Sequence, residues 1–379
     1  MFHKTKEFCD LLIEKGFPGI DLMVLKDGEC VLRYMNGYSD LENKIPVNGN
    51  ERYNIYSCSK VITCVAAMQL WEKGLFSLED RLSEYMPEFE NMTVKTENGI
   101  KKAEKPILIK HLFEMTAGFS YDTESEAVKQ CQKDTDSKCP TREFMKYLAK
   151  EPLLFEPGTN WEYSLAHDVL AALVEVISGE KFEDYVKRHI FDVAGMKNTT
   201  FMLPDEELDT LAEQYRYEEG KLRNVGKNIA FYKFGSEYAS GGAGCISGTE
   251  DYIKFLESLR KGELLKRETL DLMCEPRLNE KQQEVYWIKE THGYGLGIRC
   301  PYKNEKYNDF GWGGAACAYL AVDMKANLSL YFATHILGMP YSDHRAMVYR
   351  YVMAELFGTE SIEDIEKDIK KIEERMITF

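Results

Sequence analysis

Apolar positions fall into distinct patterns along the chain. At the start, Phe8, Leu11 and Leu12 lie at helical spacing among charges, as on a short amphipathic helix. IDLMVL and CVLRYM follow, separated by Lys26-Asp27-Gly28-Glu29, and Asp-Gly between two apolar runs predicts a β-hairpin. Toward the other end, YGLGIRC, AACAYLAV and LSLYFAT predict further strands, with Lys325-Ala326-Asn327 turning between the last two. From about residue 61 to 270 the pattern is mostly helical. VITCVAAMQLWEK, stopped by Gly74, is apolar nearly all round, which suits a helix inside a core. SLED after it predicts a capping box for the next helix. DVLAALVEVISG and DYIKFLESLRKG predict two more buried helices, closed by Gly179 and Gly262. In the tail, Ile362, Ile365, Ile369, Ile372 and Met376 form an apolar seam on a charged helix, expected to dock on the protein's own sheet.

Strands at both ends with helices between predict an α/β protein of the α+β type. One antiparallel sheet, formed from both termini, is flanked by helices, and a mostly helical subdomain is inserted. The expected division is a sheet domain of residues 1–75 and 240–379, a helical subdomain of 76–239, and a site in the cleft between them. Charge removes some functions. Asp plus Glu outnumber Lys plus Arg 63 to 48, a net −15, so a polyanion would be repelled and no nucleic-acid partner is expected. No stretch reaches the roughly 18 apolar residues of a membrane span. The opening residues lack an apolar h-region and a small-residue cleavage site, so the expected location is cytoplasmic and off the membrane. The 10 cysteines show neither a CxxC pair nor a Cys/His metal spacing, which predicts reduced, mostly buried thiols and no metal site.

Candidate chemistry begins at YNIYSCSK. Ser57 and Lys60 form an S-x-x-K pair, a pattern used by penicillin-binding proteins and serine β-lactamases. The same pattern occurs at Ser178/Lys181 and Ser258/Lys261, but only Ser57 stands where a strand-like stretch enters a buried helix. There the spacing puts both side chains on one face, a turn apart, with the helix N-terminus offering free N–H groups. A lysine beside an all-apolar helix is costly to charge, so its pKa can fall until the neutral amine accepts a proton. The competing reading is a helix cap with a solvated lysine. PGTNWEYSLAHD delivers Tyr163 from a Pro-Gly turn to the start of a buried helix, either toward the cleft or into the core. FGWGGAACAYLAV is a Gly-rich approach to a strand, open either to a substrate or to a tight turn.

Taken together, FPGIDLMVLKDGE, YNIYSCSK, LWEKGLFSLEDRLSEYMPEF, ILIKHLFEMTAGFSYD, FEPGTNWEYS, GGAGCISGTEDYIKFL, YGLGIRC and FGWGGAACAYLAVD resemble the serine β-lactamase and penicillin-binding-protein superfamily. The likeness is to its class C-related branch and runs from about residue 17 to 356. It implies the β-lactamase/transpeptidase-like fold. It also implies Ser57 as nucleophile, Lys60 as its proton partner and Tyr163 as second general base. The family's Lys-Thr-Gly triplet falls on Trp312, Gly313 and Gly314, and the backbone N–H groups of Ser57 and Ala315 would form the oxyanion hole. Leu165 stands where the family's Tyr-x-Asn motif has its Asn, so an apolar Leu, a Trp and a Gly replace the usual carboxylate anchor.

YSLAHDVL and WGG are similar to the family VIII esterases of this superfamily and to the related fungal acyltransferases. There is no G-x-S-x-G around any serine. The resemblance implies a serine esterase working through an acyl-enzyme on a small-molecule ester or amide, without metal or organic cofactor. A D-amino-acid peptidase or β-lactamase is the alternative, followed by a non-catalytic binding protein on the same fold. Whether Lys60 or Tyr163 is the principal base, and the oligomeric state, stay open.

Overall fold

The computed structural model describes residues 1–227, 232–302 and 308–377, the last three of them by backbone alone. The expected hairpin is present: β1 (Gly19–Lys26) and β2 (Glu29–Asp40) are joined through Asp27 and Gly28, both at positive φ (54° and 88°). That conformation matches the twist of paired strands, and Asp-Gly adopts it cheaply. β3 (Ile45–Pro46) extends the hairpin on its outer side. Five strands from the far end of the chain complete the sheet: β4 (His292–Tyr294), β5 (Arg299–Pro301), β6 (Asp309–Gly313), β7 (Tyr319–Asp323) and β8 (Leu328–Ala333). The order is β4-β5-β6-β7-β8-β1-β2-β3, antiparallel throughout, and the termini meet where Asp21 pairs with Ala333.

Both faces of the sheet are covered, which explains why its central strands read as apolar runs rather than alternating ones. Ile20, Leu22, Val24, Leu330 and Phe332 face α1 (His3–Glu14) and α5 (Arg345–Phe357). Leu320, Val322, Tyr331 and Ala333 face the opposite core, built on α2 (Ser59–Glu72), α3 (Ala166–Ser178) and α4 (Thr249–Arg260). α2 is buried along almost its whole length, as its unbroken apolar sequence requires. Among the described residues no helix is long and apolar enough to cross a membrane.

Several local expectations change. YGLGIRC is not one strand: Tyr294 ends β4, Arg299 begins β5, and Gly297 (φ 82°) turns between them. AACAYLAV is a strand only from Tyr319, because the residues before it turn. SLED caps no helix; Ser77 N–H donates to Asp80 Oδ2 at 2.7 Å, closing a turn two residues before the next helix starts at Leu82. Besides helices, the middle of the chain holds two hairpins, Thr93–Thr96 with Gly99–Lys102 and Gln214–Glu218 with Lys221–Gly226. The tail forms α6 (Ile362–Ile377) and docks on the chain itself. Its Ile365 and Ile369 pack with Phe8 and Tyr351 of α1 and α5, over the helices rather than on the sheet. The side chain of Met376 lies outside the described residues.

Candidate active site

The short strand Tyr53–Asn54 pairs with Ile246–Ser247 and leads into a single 3-10 turn, Tyr56–Cys58, that opens α2. Tyr56 holds a left-handed φ of 46°, unusual for an aromatic residue. Its hydroxyl, bonded to Gln214 Oε1 at 2.6 Å, fixes the buried ring. The turn brings Ser57 to the wall of a cavity of about 770 Å³. Ser59 points elsewhere: it is fully buried, donates to Tyr56 O at 2.5 Å and accepts from Cys245 N–H at 3.0 Å.

Tyr163, Trp312, Gly313, Gly314 and Ala315 line the same cavity as Ser57. Trp312 Nε1 donates to the Tyr163 hydroxyl at 3.3 Å, and the two rings stack at 5.9 Å. Trp287 and Tyr121 extend this aromatic wall, with ring centroids 4.8 and 5.4 Å from Tyr163. Lys60 is fully buried behind it. Its Nζ donates to Gly242 O at 2.7 Å and to the Tyr121 hydroxyl at 3.4 Å, and lies 4.5 Å from the centre of the Tyr163 ring. No hydrogen bond joins Ser57 Oγ to Lys60 or Tyr163 among the described residues. Such looseness is common before substrate draws a site together. Leu165 is not brought to the cavity; it is buried in the core, ahead of α3, where its carbonyl accepts from Asp168 and Val169.

Glycines in the site make room for the protein's own groups. A Cβ on Gly314 would stand 2.5 Å from Ile55 O, two residues before the nucleophile candidate. One on Gly313 would stand 3.0 Å from the Arg345 guanidinium, and one on Gly242 would stand 2.5 Å from Asp168 Oδ2. Backbone N–H groups complete the picture. Neither Ser57 N–H nor Ala315 N–H donates to an acceptor among the described residues, although both border the cavity.

Three groups escaped the sequence reading. Asp168 is buried near Lys60 and accepts from Tyr238 and Ser240 hydroxyls at 2.9 and 2.6 Å. Burial pushes its carboxyl pKa up, while Ser240, the Lys60 charge and Tyr238 pull it back. Tyr121 and Arg345 touch Lys60 and the Gly314 carbonyl from distant segments. Asp168 and Tyr121 lie within sequence stretches already singled out, YSLAHDVL and FSYD, but nothing in their spacing marks them as neighbours of Lys60. Arg345 also changes an expectation: a cation does stand beside the Trp-Gly-Gly strand, supplied by α5.

Known proteins share this arrangement of elements. The chain is 27% identical over 268 residues to the ML-236A carboxylate methylbutanoyltransferase of Penicillium citrinum, covering 67% of this chain and 64% of that protein. It is 27% identical over 284 residues to Esterase EstB of Burkholderia gladioli, covering 69% and 71%. The chain thus spans just under two thirds of the methylbutanoyltransferase's length. The solved structure of EstCE1, a hydrolase with promiscuous acyltransferase activity, superposes with a TM-score of 0.76 at 24% identity, over 92% of this chain and 96% of that one. The family model described as Beta-lactamase matches residues 5–353, and the chain belongs to the beta-lactamase family.

Proposed function

We propose that this protein is a serine esterase that works through an acyl-enzyme on Ser57. The observation that carries the reading is the pairing of Ser57, at the cavity wall, with two backbone N–H groups, its own and that of Ala315, that have no acceptor among the described residues. Ser57 is buried and Ala315 exposed where the two line this cavity, and two N–H groups free to donate to one substrate oxygen would form a cradle for an oxyanion. Ser57 Oγ attacks the ester carbonyl, its proton passes to Lys60 or Tyr163, and the carbonyl oxygen takes the negative charge between the two N–H groups. Collapse of the tetrahedral species breaks the bond to the alkoxy group, which leaves as the alcohol with that proton. Water then attacks the acyl-Ser57 ester, releasing the acid and restoring the hydroxyl. On this reading the cleft divides a sheet domain (1–75 and 240–379) from a helical subdomain (76–239).

The aromatic part of the wall suits a neutral acyl group. Tyr121, Tyr163, Trp287 and Trp312 line it with aromatic carbon, against which an apolar chain packs without losing hydrogen bonds. The Burkholderia relative is an esterase, which supports the same class. Short-chain p-nitrophenyl esters should therefore be hydrolysed, and penicillins and cephalosporins turned over far more slowly. Intact-mass measurement during turnover should find the acyl group, and digestion should place it on Ser57. Efficient cephalosporin turnover without esterase activity would replace this reading by the β-lactamase one.

A further inference from the structure

Arg345, the first residue of α5, makes no ion pair among the described residues. Instead its Nη1 donates to Gly314 O at 2.6 Å. The same oxygen accepts from Cys317 N–H at 3.0 Å, closing a turn in which Cys317 holds a φ of 66°, and Gly314 N–H donates to Ala318 O at 2.9 Å. The Gly314–Ala315 peptide is thus gripped at its oxygen by two donors, one of them charged. Its other end is the Ala315 N–H, which has no acceptor among the described residues. In a trans peptide the C=O and N–H bonds point to opposite sides of one rigid plane, so fixing the oxygen aims the N–H. A charged donor on the oxygen also draws electron density from the nitrogen and strengthens the N–H as a donor.

We infer that Arg345 is a positioning residue that aims and polarises the Ala315 N–H toward the oxyanion. The inference rests on the oxyanion cradle proposed above. It also gives Gly313 a reason: a Cβ there would stand 3.0 Å from both Cζ and Nη2 of Arg345 and would displace the guanidinium by a few tenths of an ångström, straining its bond to the Gly314 carbonyl. Substitution at 313 therefore strains the contact that removal of the guanidinium abolishes.

The test compares wild type, Arg345→Met, Arg345→Lys, Gly313→Ala and the Gly313→Ala/Arg345→Met pair, with Ser57→Ala as control. The readouts are kcat and KM for p-nitrophenyl acetate, the rate of inactivation by a p-nitrophenyl phosphonate, and thermal unfolding. Loss of a donor from an oxyanion hole costs about 100- to 1000-fold, so weakening one should lower kcat and the phosphonylation rate about 10- to 100-fold in Arg345→Met. KM should stay within about threefold, because the ground-state carbonyl carries little charge. Arg345→Lys should recover part of the rate. Gly313→Ala should lose rate in the same sense, and the pair should be no worse than Arg345→Met alone. Should Arg345→Met fail to fold, Gly313→Ala carries the same expectation with the charge retained.

A reactive wild type with Arg345→Met within twofold of it would overturn the inference and leave the esterase reading standing. A loss confined to KM, or to substrates bearing a carboxylate, would make Arg345 a substrate anchor and overturn it equally. A wild type that neither turns over nor labels, or a Ser57→Ala variant that labels as fast, would sink the parent reading and this one with it.

Discussion

The carbonyl oxygen of Ile55 occupies the place that a side chain on Gly314 would need, 2.5 Å from an ideal Cβ. The turn that carries Ser57 and the residue that follows β6 are therefore in close backbone contact. Gly314→Ala should push the two apart. Overpacking of this kind costs about 1–3 kcal/mol, so melting should shift downward without loss of the fold. Esterase kcat/KM should fall by about 100-fold or more, because displacing one oxyanion donor is enough for that. Unchanged activity in a folded Gly314→Ala protein would mean that Ala315 N–H takes no part.

Ser57 and Ser59 should separate cleanly into chemistry and stability. Ser57 Oγ has no hydrogen bond among the described residues, so Ser57→Ala should leave stability within about 0.5 kcal/mol while abolishing acylation. Ser59 holds the Tyr56 carbonyl and satisfies Cys245 N–H. Tyr56 O keeps the Ser59 backbone N–H as a donor, so Ser59→Ala strands the buried Cys245 N–H and should cost about 1–3 kcal/mol in denaturant titration. It should still form the acyl-enzyme. Equal loss of labelling in two folded variants would point to a different nucleophile.

His167 should give the protein a measurable acid weakness. It is fully buried in α3, with Nε2 3.4 Å from Phe113 O and 3.6 Å from Cys64 Sγ. Burial first, then the nearby Lys60 charge, pushes its pKa down to about 3, against a slight upward pull from the Phe113 carbonyl. Unfolding restores a value near 6.5, so between these limits the unfolded chain binds a proton that the folded one does not. Stability that is complete above pH ~6.5 is then lost as pH falls, by about 1.4 kcal/mol per unit for this one group. Other buried groups titrate in the same range, so the measurement is a difference. The stability of wild type relative to His167→Gln should decline with that slope between about pH 6 and 4. A flat difference would mean that His167 is protonated in the folded state.

Local signals carried much of the fold. The Asp27-Gly28 turn, the Gly179 and Gly262 helix ends and the apolar run of β8 all act within a few residues, and each is visible in the sequence. The failures share a cause of longer range. YGLGIRC looked continuous because its apolar residues are in phase, but Gly295 meets the backbone of Met273, where a Cβ would stand 2.0 Å from its carbonyl oxygen. In the site, Ser57, Lys60 and Tyr163 are marked by spacing beside helix starts. Arg345 is not, because only the pairing of β6 with β7 and the placing of α5 bring it to Gly314. The glycines of FGWGG left a substrate or a tight turn open; Cys317 N–H on Gly314 O closes a turn, and a Cβ at 313 or 314 would meet Arg345 or Ile55.

The pairing of β1 with β8 has a consequence for how the molecule comes into being. Lys26 meets Leu328, and Asp21 meets Ala333, so the centre of the sheet joins two segments separated by almost the whole chain. On a ribosome the N-terminal hairpin emerges first and must wait, with one long edge unpaired, until the final strands are made. Contacts this remote form slowly, and an exposed strand edge in the meantime invites association with other chains. A nascent chain stopped before β8 therefore holds Ser57 in a protein whose central sheet is still open, and acyl transfer should begin only after the last strand has been laid in.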